Sequence, residues 1–130
     1  MKKIILQVLF LSLLNTYATA KEFQIYSIVQ DIPMGEENEI IKKNFYVNIG
    51  KNQGISSDTV LDVYRSISRL DPYETKKRFN YKVKIGELRV IHSEESVSIA
   101  NLKELNNSND APLFEISNLM IGDKVKVKVK

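Results

Sequence analysis

Few side chains in this sequence have the types and spacing that catalysis needs. His92 is the only histidine, and Glu94 and Glu95 follow it closely enough to form a carboxylate–imidazole pair. Such a pair can bind a metal ion or transfer a proton. The chain has no cysteine and no second histidine, so a metal site here would depend on carboxylates alone. We therefore interpret His92 as a structural residue at the end of a strand.

A second group of candidates is acidic. Glu36, Glu37 and Glu39 lie in one segment, and paired carboxylates hydrolyse glycosides where a cleft separates their pKa values. Consecutive acids on an exposed loop are usually only solvated. The sequence contains no G-x-S-x-G nucleophile motif and no phosphate-binding glycine loop. These patterns predict no catalytic, cofactor-binding or metal-binding residues, and they leave a small hydrolase as the least favoured alternative.

Basic and aromatic residues are interleaved in one further segment. Aromatic rings stack on sugars and bases, and cations hold anions such as lipid headgroups, cell-wall polymers and acidic proteins. We predict that this segment is a loop that binds a partner. The alternative is a solvated loop whose rings pack back onto the domain. The candidate residues are Tyr73, Lys76, Lys77, Arg78, Phe79 and Tyr81.

These candidates must be positioned by β-strands. In six stretches, apolar residues alternate with polar ones or β-branched residues cluster, and turn-forming residues separate the stretches. Within the fourth stretch the apolar face changes at Gly86, which is typical of a β-bulge. The predicted strands span residues 22–30, 45–49, 59–67, 82–92, 97–102 and 124–130.

The predicted connections between these strands differ in length. Gly50–Gly54 has the composition of a hairpin-type turn, Ser93–Ser96 is a turn between two strands, and Ser68–Tyr81 is predicted to be a long polar loop. Residues 36–43 suit either a helical turn or a loop, and residues 111–120 have no clear pattern. About six to seven short strands with regular turn signals predict an all-β fold, a small antiparallel barrel or sandwich.

The first twenty residues have the layout of a secretory signal peptide. Two lysines near the start are followed by an apolar run, Ile4–Leu14, and by Ala18–Ala20, a small-x-small cleavage signature. The apolar run is shorter than the about 20 residues that span a bilayer. We therefore predict cleavage after residue 20 and a periplasmic mature protein that begins at Lys21, forms a single β domain over residues 21–130 and has no transmembrane segment. The alternative is a permanent N-terminal anchor.

Charge and cysteine content narrow the range of partners. Without Lys2 and Lys3, 17 basic residues face 16 acidic ones, so the predicted mature chain has almost no net charge. This balance argues against nucleic-acid binding, which normally uses a strongly basic surface. Because the chain has no cysteine, an exported domain must depend on its hydrophobic core rather than on disulfides.

Several short segments together resemble a known family. They are, in chain order, Val47–Gly50, Gly54–Ile55, Val60–Arg65, Ile85–Val90, Ser96–Ala100 and Ile121–Val125. In this order they resemble the C-terminal β domain of the flagellar assembly protein FlgT and similar small periplasmic envelope domains, over residues 44–130. One departure is Asp58-Thr59, which stands where that family usually has Gly-Asp.

The resemblance implies a periplasmic scaffold or ring component rather than an enzyme. We therefore expect a non-catalytic domain that docks into a cell-envelope assembly of the flagellar basal-body kind, through an exposed strand edge and the segment Ser68–Tyr81. The expected partners are envelope proteins. In the alternative of a peptidoglycan- or polysaccharide-binding module, the partner is a cell-wall polymer and the aromatic residues of the segment are its stacking faces. We expect no cofactor and no nucleic acid.

Overall fold

The computed structural model of the chain describes residues 22–129. The predicted signal peptide at residues 1–20 and the predicted mature start at Lys21 lie outside these described residues. Between residues 22 and 129, no helix is long and apolar enough to cross a membrane, and the regular structure is almost entirely strand. The strands are β1 Ile25–Gln30, β2 Lys43–Val47, β3 Val60–Leu70, β4 Arg78–Ser93, β5 Ser98–Leu105 and β6 Lys124–Val127.

All six strands belong to one antiparallel sheet, in the order β1-β2-β5-β4-β3-β6. Hairpins join β3 to β4 and β4 to β5, and β6 returns to lie beside β3, which is a Greek-key arrangement. The sheet closes on itself because Gln24 forms a bridge to Lys124 of β6. Hydrogen bonds from Ile25 N–H to Asp123 O (2.9 Å) and from Gly122 N–H to Ile25 O (2.8 Å) continue this closure. The all-β prediction is confirmed, and the closed sheet is a small barrel.

Because neighbouring strands run in opposite directions, the connections that leave strands of the same direction lie at the same end of the barrel. The β1–β2, β3–β4 and β5–β6 connections lie at one end of the barrel, which we call the hairpin end. The β2–β3 and β4–β5 connections lie at the opposite end. The β1–β2 and β3–β4 ribbons are separated by β5 on one side and by β6 on the other, so they lie across the barrel from each other.

The core is built from the inward-facing residues of every strand. In the predicted strand over residues 45–49, the alternate residues Phe45, Val47 and Ile49 face inward, since each is no more than 2% exposed. Leu61 and Val63 of β3 face inward in the same way. Burying each of these side chains contributes about 1.5–3 kcal/mol. The buried core consists of Ile25, Phe45, Val47, Ile49, Ile55, Leu61, Val63, Ile85, Leu88, Val90, Ala100, Leu119 and Val125.

The bulge predicted at Gly86 is confirmed. Val63 pairs with Gly86, whereas the next residue of β3, Tyr64, pairs with Lys84. Ile85 is therefore the extra residue on β4, and the register shift lets both halves of β4 direct apolar side chains into the core. Glycine is required here because a Cβ on Gly86 would lie 2.6 Å from a carbonyl oxygen of β5.

The prediction that Gly50–Gly54 forms a hairpin-type turn is wrong. It connects β2 to β3, which are not neighbours in the sheet, and it crosses the barrel end as a single 3-10 turn. There it packs on the β4–β5 turn, where Lys51 N–H donates to Glu94 O (2.9 Å). A Cβ on Gly50 would overlap that same carbonyl oxygen. Of the two glycines in this turn, only Gly54 has a positive φ, of 80°, and it ends the turn in the left-handed conformation that glycine adopts readily.

A buried ion pair joins β3 to the segment that leads into β6. Arg65 continues the inward-facing row of β3 and is only 8% exposed. Its Nε and Nη2 atoms donate to the two carboxylate oxygens of Asp123, each at 2.9 Å. This two-point geometry is the strongest arrangement between a guanidinium and a carboxylate. Asp123 also accepts a hydrogen bond from Met120 N–H at 2.8 Å, so the carboxylate holds both the arginine and the turn before β6.

The remaining donors of Arg65 fix the irregular segment between β5 and β6. Nη2 donates to Asn118 O at 2.8 Å, and Nη1 donates to Ile116 O. The guanidinium also lies 5.2 Å from the ring centre of Phe114, within the range of a cation–π contact. One side chain of β3 thus organises the end of the barrel from which the β3–β4 hairpin projects.

We expect Arg65→Ala to lower the free energy of unfolding by about 3–5 kcal/mol, because it leaves the carboxylate of Asp123 buried without a partner. Urea denaturation followed by circular dichroism measures this loss. Arg69→Ala is the matched control on the same strand, since Arg69 is exposed and donates only to the neighbouring Ser68 O at 3.2 Å; its effect should stay within about 0.5 kcal/mol. Equally small losses of unfolding free energy in both variants would show that the Arg65–Asp123 pair does not stabilise the fold.

Candidate docking site

The candidate residues 73–81 lie on a long β-hairpin, so the prediction of a polar loop over Ser68–Tyr81 is wrong. β3 runs on to Leu70 and β4 begins at Arg78, and only residues 71–77 form the turn. The two strands remain paired to the end, with Arg69 opposite Phe79. Beyond Arg65 the hairpin extends five residues, about 16 Å at the usual rise per residue. We call residues 66–82 the basic hairpin.

The tip of the basic hairpin is held by its own hydrogen bonds. The carboxylate of Asp71 accepts from Tyr73 N–H at 2.8 Å and from Glu74 N–H at 3.4 Å, which is an Asx-type turn. Across the tip, Asp71 N–H donates to Lys77 O at 3.0 Å, and Lys77 N–H donates to Glu74 O at 3.1 Å. These bonds hold the backbone of the tip in one conformation, which reduces the backbone entropy lost when a partner binds.

The structure brings three of the six candidates together on one face. Phe79 and Tyr81 are two residues apart on β4, so both rings lie on the same side of the hairpin. They are 41% and 56% exposed. The ammonium group of Lys77 lies 5.6 Å from the ring centre of Phe79, a cation–π distance. This face therefore offers two rings and a cation to a partner.

The other three candidates are placed differently. Tyr73 is at the tip and is 94% exposed, and Lys76 is exposed beside it. Arg78 lies on the opposite face from Phe79, where its Nε donates to Ser68 Oγ at 2.8 Å. The six residues thus surround the hairpin rather than lining one pocket. This arrangement suits insertion of the hairpin into a partner more than enclosure of a small ligand.

Sequence reasoning missed two parts of this surface. Leu70 is 54% exposed at the end of β3, opposite Arg78. At the base of the hairpin, residues 65–69 and 113–116 line a groove, and its rim carries Leu113 and Ile116, which are 98% and 52% exposed. No signal in the sequence indicated this second patch, because residues 111–120 have no clear pattern and the exposure of their apolar side chains depends on the tertiary fold.

Two other sequence candidates, His92 and Glu39, have local structural roles. His92 Nε2 lies 2.9 Å from Glu94 Oε1 at the barrel end opposite the hairpin, and both side chains are exposed. The hydrogen bond with His92 holds the pKa of Glu94 below its ordinary value. Glu39 accepts hydrogen bonds from Met34 N–H (2.6 Å) and Gly35 N–H (3.2 Å), which fixes the loop after β1. In the part of the chain that the structure describes, no three His, Asp or Glu side chains are grouped to hold a metal ion.

The lysines of the last strand do not enlarge the basic hairpin. Lys124 donates to Gln24 Oε1 at 2.9 Å. Lys128 donates to the carboxylate of Glu87 at 2.6 Å, on the outer face of the sheet. The Nζ atom of Lys124 also lies 3.4 Å from a carboxylate oxygen of Glu22, so each of these two lysines forms an ion pair that offsets its charge. The basic character of the candidate site therefore comes from the hairpin itself.

Glu87 is the centre of a charged cluster on this outer face. Its side chain is 5% exposed, and the hydrogen bond from Lys128 holds its pKa below the ordinary value, with Lys84 adding to the effect. Lys84 also forms an ion pair with Asp62 at 3.0 Å, and this contact raises the pKa of Lys84. The cluster joins β3, β4 and the residues after β6.

No protein-family model and no curated protein matches the chain. Its function must therefore be inferred from the geometry and charge of the sites described above, together with the sequence features.

We expect the stability difference between the wild-type protein and Glu87→Gln to depend on pH. The folded-state pKa of Glu87 is lowered from 4.5, so the carboxylate contributes its full stabilisation above pH 4.5 and loses it as the pH falls through the folded-state value. The difference should be about 1 kcal/mol near neutrality, because Lys128 is partly exposed. Urea titrations at several pH values measure it. A difference that stays constant into acid would contradict this assignment. Glu95→Gln, at an exposed carboxylate, is the control, and its stability should stay within about 0.5 kcal/mol of the wild type.

Proposed function

We propose that the protein is a non-catalytic periplasmic interaction domain that docks into a cell-envelope assembly through its basic hairpin. One observation carries this proposal: a hairpin that extends beyond the barrel exposes Leu70, Tyr73, Phe79 and Tyr81. Large exposed apolar groups near one another are typical of interaction surfaces. Tyrosine and arginine are also enriched among the residues that contribute most to binding.

The location and the kind of assembly rest on the sequence. The signal-peptide pattern of residues 1–20 supports export to the periplasm. The ordered resemblance to the C-terminal domain of FlgT supports an assembly of the flagellar basal-body kind. In this proposal the barrel holds the hairpin in place. The hairpin binds its partner through non-covalent contacts alone.

A strand edge provides a second contact in the same proposal. Among residues 22–129, β1 beyond Ile25 is paired only with β2, so within this part of the chain its other edge is open over residues 26–30. These residues carry no charge, whereas exposed edges are commonly protected by lysine or proline. An added strand from a partner would satisfy this edge by β-augmentation.

A peptidoglycan- or polysaccharide-binding module is the second candidate function. The observation that favours it is the placement of Phe79 and Tyr81 on one face, where two rings can stack on successive sugars. Lys77 beside Phe79 would attract an acidic polymer. Co-sedimentation of the purified protein with purified cell wall tests this candidate, and loss of sedimentation in Tyr81→Ala would support it.

We expect the double variant Phe79→Ser/Tyr81→Ser to recover its envelope partners at least about tenfold less well, the effect of removing one strong contact of about 1.4 kcal/mol. The measurement is crosslinked affinity purification of the tagged protein from its own cell envelope, followed by mass spectrometry. Both rings are exposed, so urea denaturation should find the fold intact.

The matched control is Ile91→Ser. Ile91 is 46% exposed on the same strand, at the end of the barrel opposite the hairpin, and this variant should recover the partners normally. Undiminished recovery by the double variant would remove the hairpin from the proposal. Recovery of cell-wall material alone, lost in the double variant, would replace the first candidate function by the second.

A further inference from the structure

Two ribbons at the hairpin end of the barrel carry opposite charge. The basic hairpin contains five basic residues and two acidic ones. The loop between β1 and β2, residues 31–42, contains four acidic residues and one basic residue; we call it the acidic loop. The basic residues of the hairpin are Arg69, Lys76, Lys77, Arg78 and Lys82, and the acidic residues of the loop are Asp31, Glu36, Glu37 and Glu39.

The acidic loop also exposes apolar side chains. Ile32, Met34 and Ile40 are 81%, 76% and 84% exposed. The loop is nevertheless held in shape, because the carboxylate of Glu39 accepts the two backbone hydrogen bonds from Met34 and Gly35. It therefore combines acidic and apolar groups in the same way that the basic hairpin combines basic and aromatic ones.

The two surfaces do not cover each other within one chain. Their ribbons lie across the barrel, with one strand between them on each side. The high exposure of Tyr73 on the hairpin and of Ile32 on the loop indicates that both remain open. Each molecule thus presents two complementary surfaces on opposite sides of the same end.

We propose that the basic hairpin of one copy docks onto the acidic loop of a second copy. This inference rests on the proposed function, in which the hairpin is the docking element, and it names the hairpin's partner. The contact is heterologous, or head-to-tail, because two different surfaces meet and each copy keeps one of each unused. Repetition of the contact builds a ring or a chain of identical subunits.

Charge selects this contact over the symmetric ones. A hairpin facing a hairpin would bring lysines and arginines together, and a loop facing a loop would bring glutamates together; like charges in such contacts oppose binding. The head-to-tail contact instead pairs cations with carboxylates while Phe79 and Tyr73 meet Ile32, Met34 and Ile40. Apolar burial then supplies affinity and the charges supply orientation.

The test is a charge exchange at residues whose side chains form no hydrogen bond within the part of the chain that the structure describes. On the hairpin these are Lys76 and Lys77, changed to glutamate; on the loop they are Glu36 and Glu37, changed to lysine. Glu39 is left unchanged because it holds the loop. Association is measured by sedimentation velocity of the protein purified from its own cell envelope, at low ionic strength. Concentrations up to about 500 μM reach weak contacts.

We expect the wild-type protein to associate, and to do so less at high salt. Lys76→Glu/Lys77→Glu and Glu36→Lys/Glu37→Lys should each weaken self-association at least about 30-fold, because each places like charges in the contact. An equimolar mixture of these two variants should associate again, since both of its possible contacts pair opposite charges. The control Lys51→Glu/Arg89→Glu reverses exposed charges outside the hairpin end and should associate like the wild type.

Two results overturn the inference. A wild-type protein that stays monomeric throughout this range excludes a second copy as the partner. A mixture of the two charge-reversed variants that stays monomeric excludes the head-to-tail contact. If in either case Lys76→Glu/Lys77→Glu also loses its envelope partners, the hairpin still docks and its partner is a different, acidic protein. If that variant keeps its partners, the proposed function of the hairpin fails as well.

Discussion

The arrangement of the hairpin end depends on the ion pair between Arg65 and Asp123. The guanidinium of Arg65 donates hydrogen bonds to both carboxylate oxygens of Asp123 and to two carbonyl oxygens of the segment before β6. That segment leads into β6, which pairs with β3 and forms the bridge to Gln24 that closes the barrel. Because a buried charge is costly without its partner, the pair couples three separate features: the end of the core, the closure of the sheet and the base of the basic hairpin.

Period-two alternation was enough to predict the strands wherever one face is buried. In β3, Leu61 and Val63 face inward and the charged Arg65 lies on the same face, because alternation follows backbone geometry rather than polarity. It failed at residues 68–81, since a hairpin that projects past the barrel has no buried face and so no alternating pattern. It also failed at Gly50–Gly54, because turn composition is local whereas strand pairing is decided by distant parts of the chain.

Only part of the candidate site could be predicted from the sequence. The mixture of Tyr73, Phe79 and basic residues identified the segment, since composition alone reveals an unusual surface. The exposure of Leu70, Ile32 and Met34 could not be inferred, because a large apolar residue is expected to be buried and only the tertiary fold leaves it in solvent. The two charged ribbons lie on opposite sides of the barrel because of the strand order, which no local sequence pattern specifies.

The closure of the barrel also determines the order in which the protein can fold. Gln24 and Lys124 are 100 residues apart in the chain, and the entropy of closing so long a loop makes this pairing late and slow. The β3–β4–β5 meander needs only local contacts and can form while the chain is still emerging. The sheet cannot close until β6 has appeared, so a chain that lacks its last residues keeps two open edges and is the form most prone to aggregate.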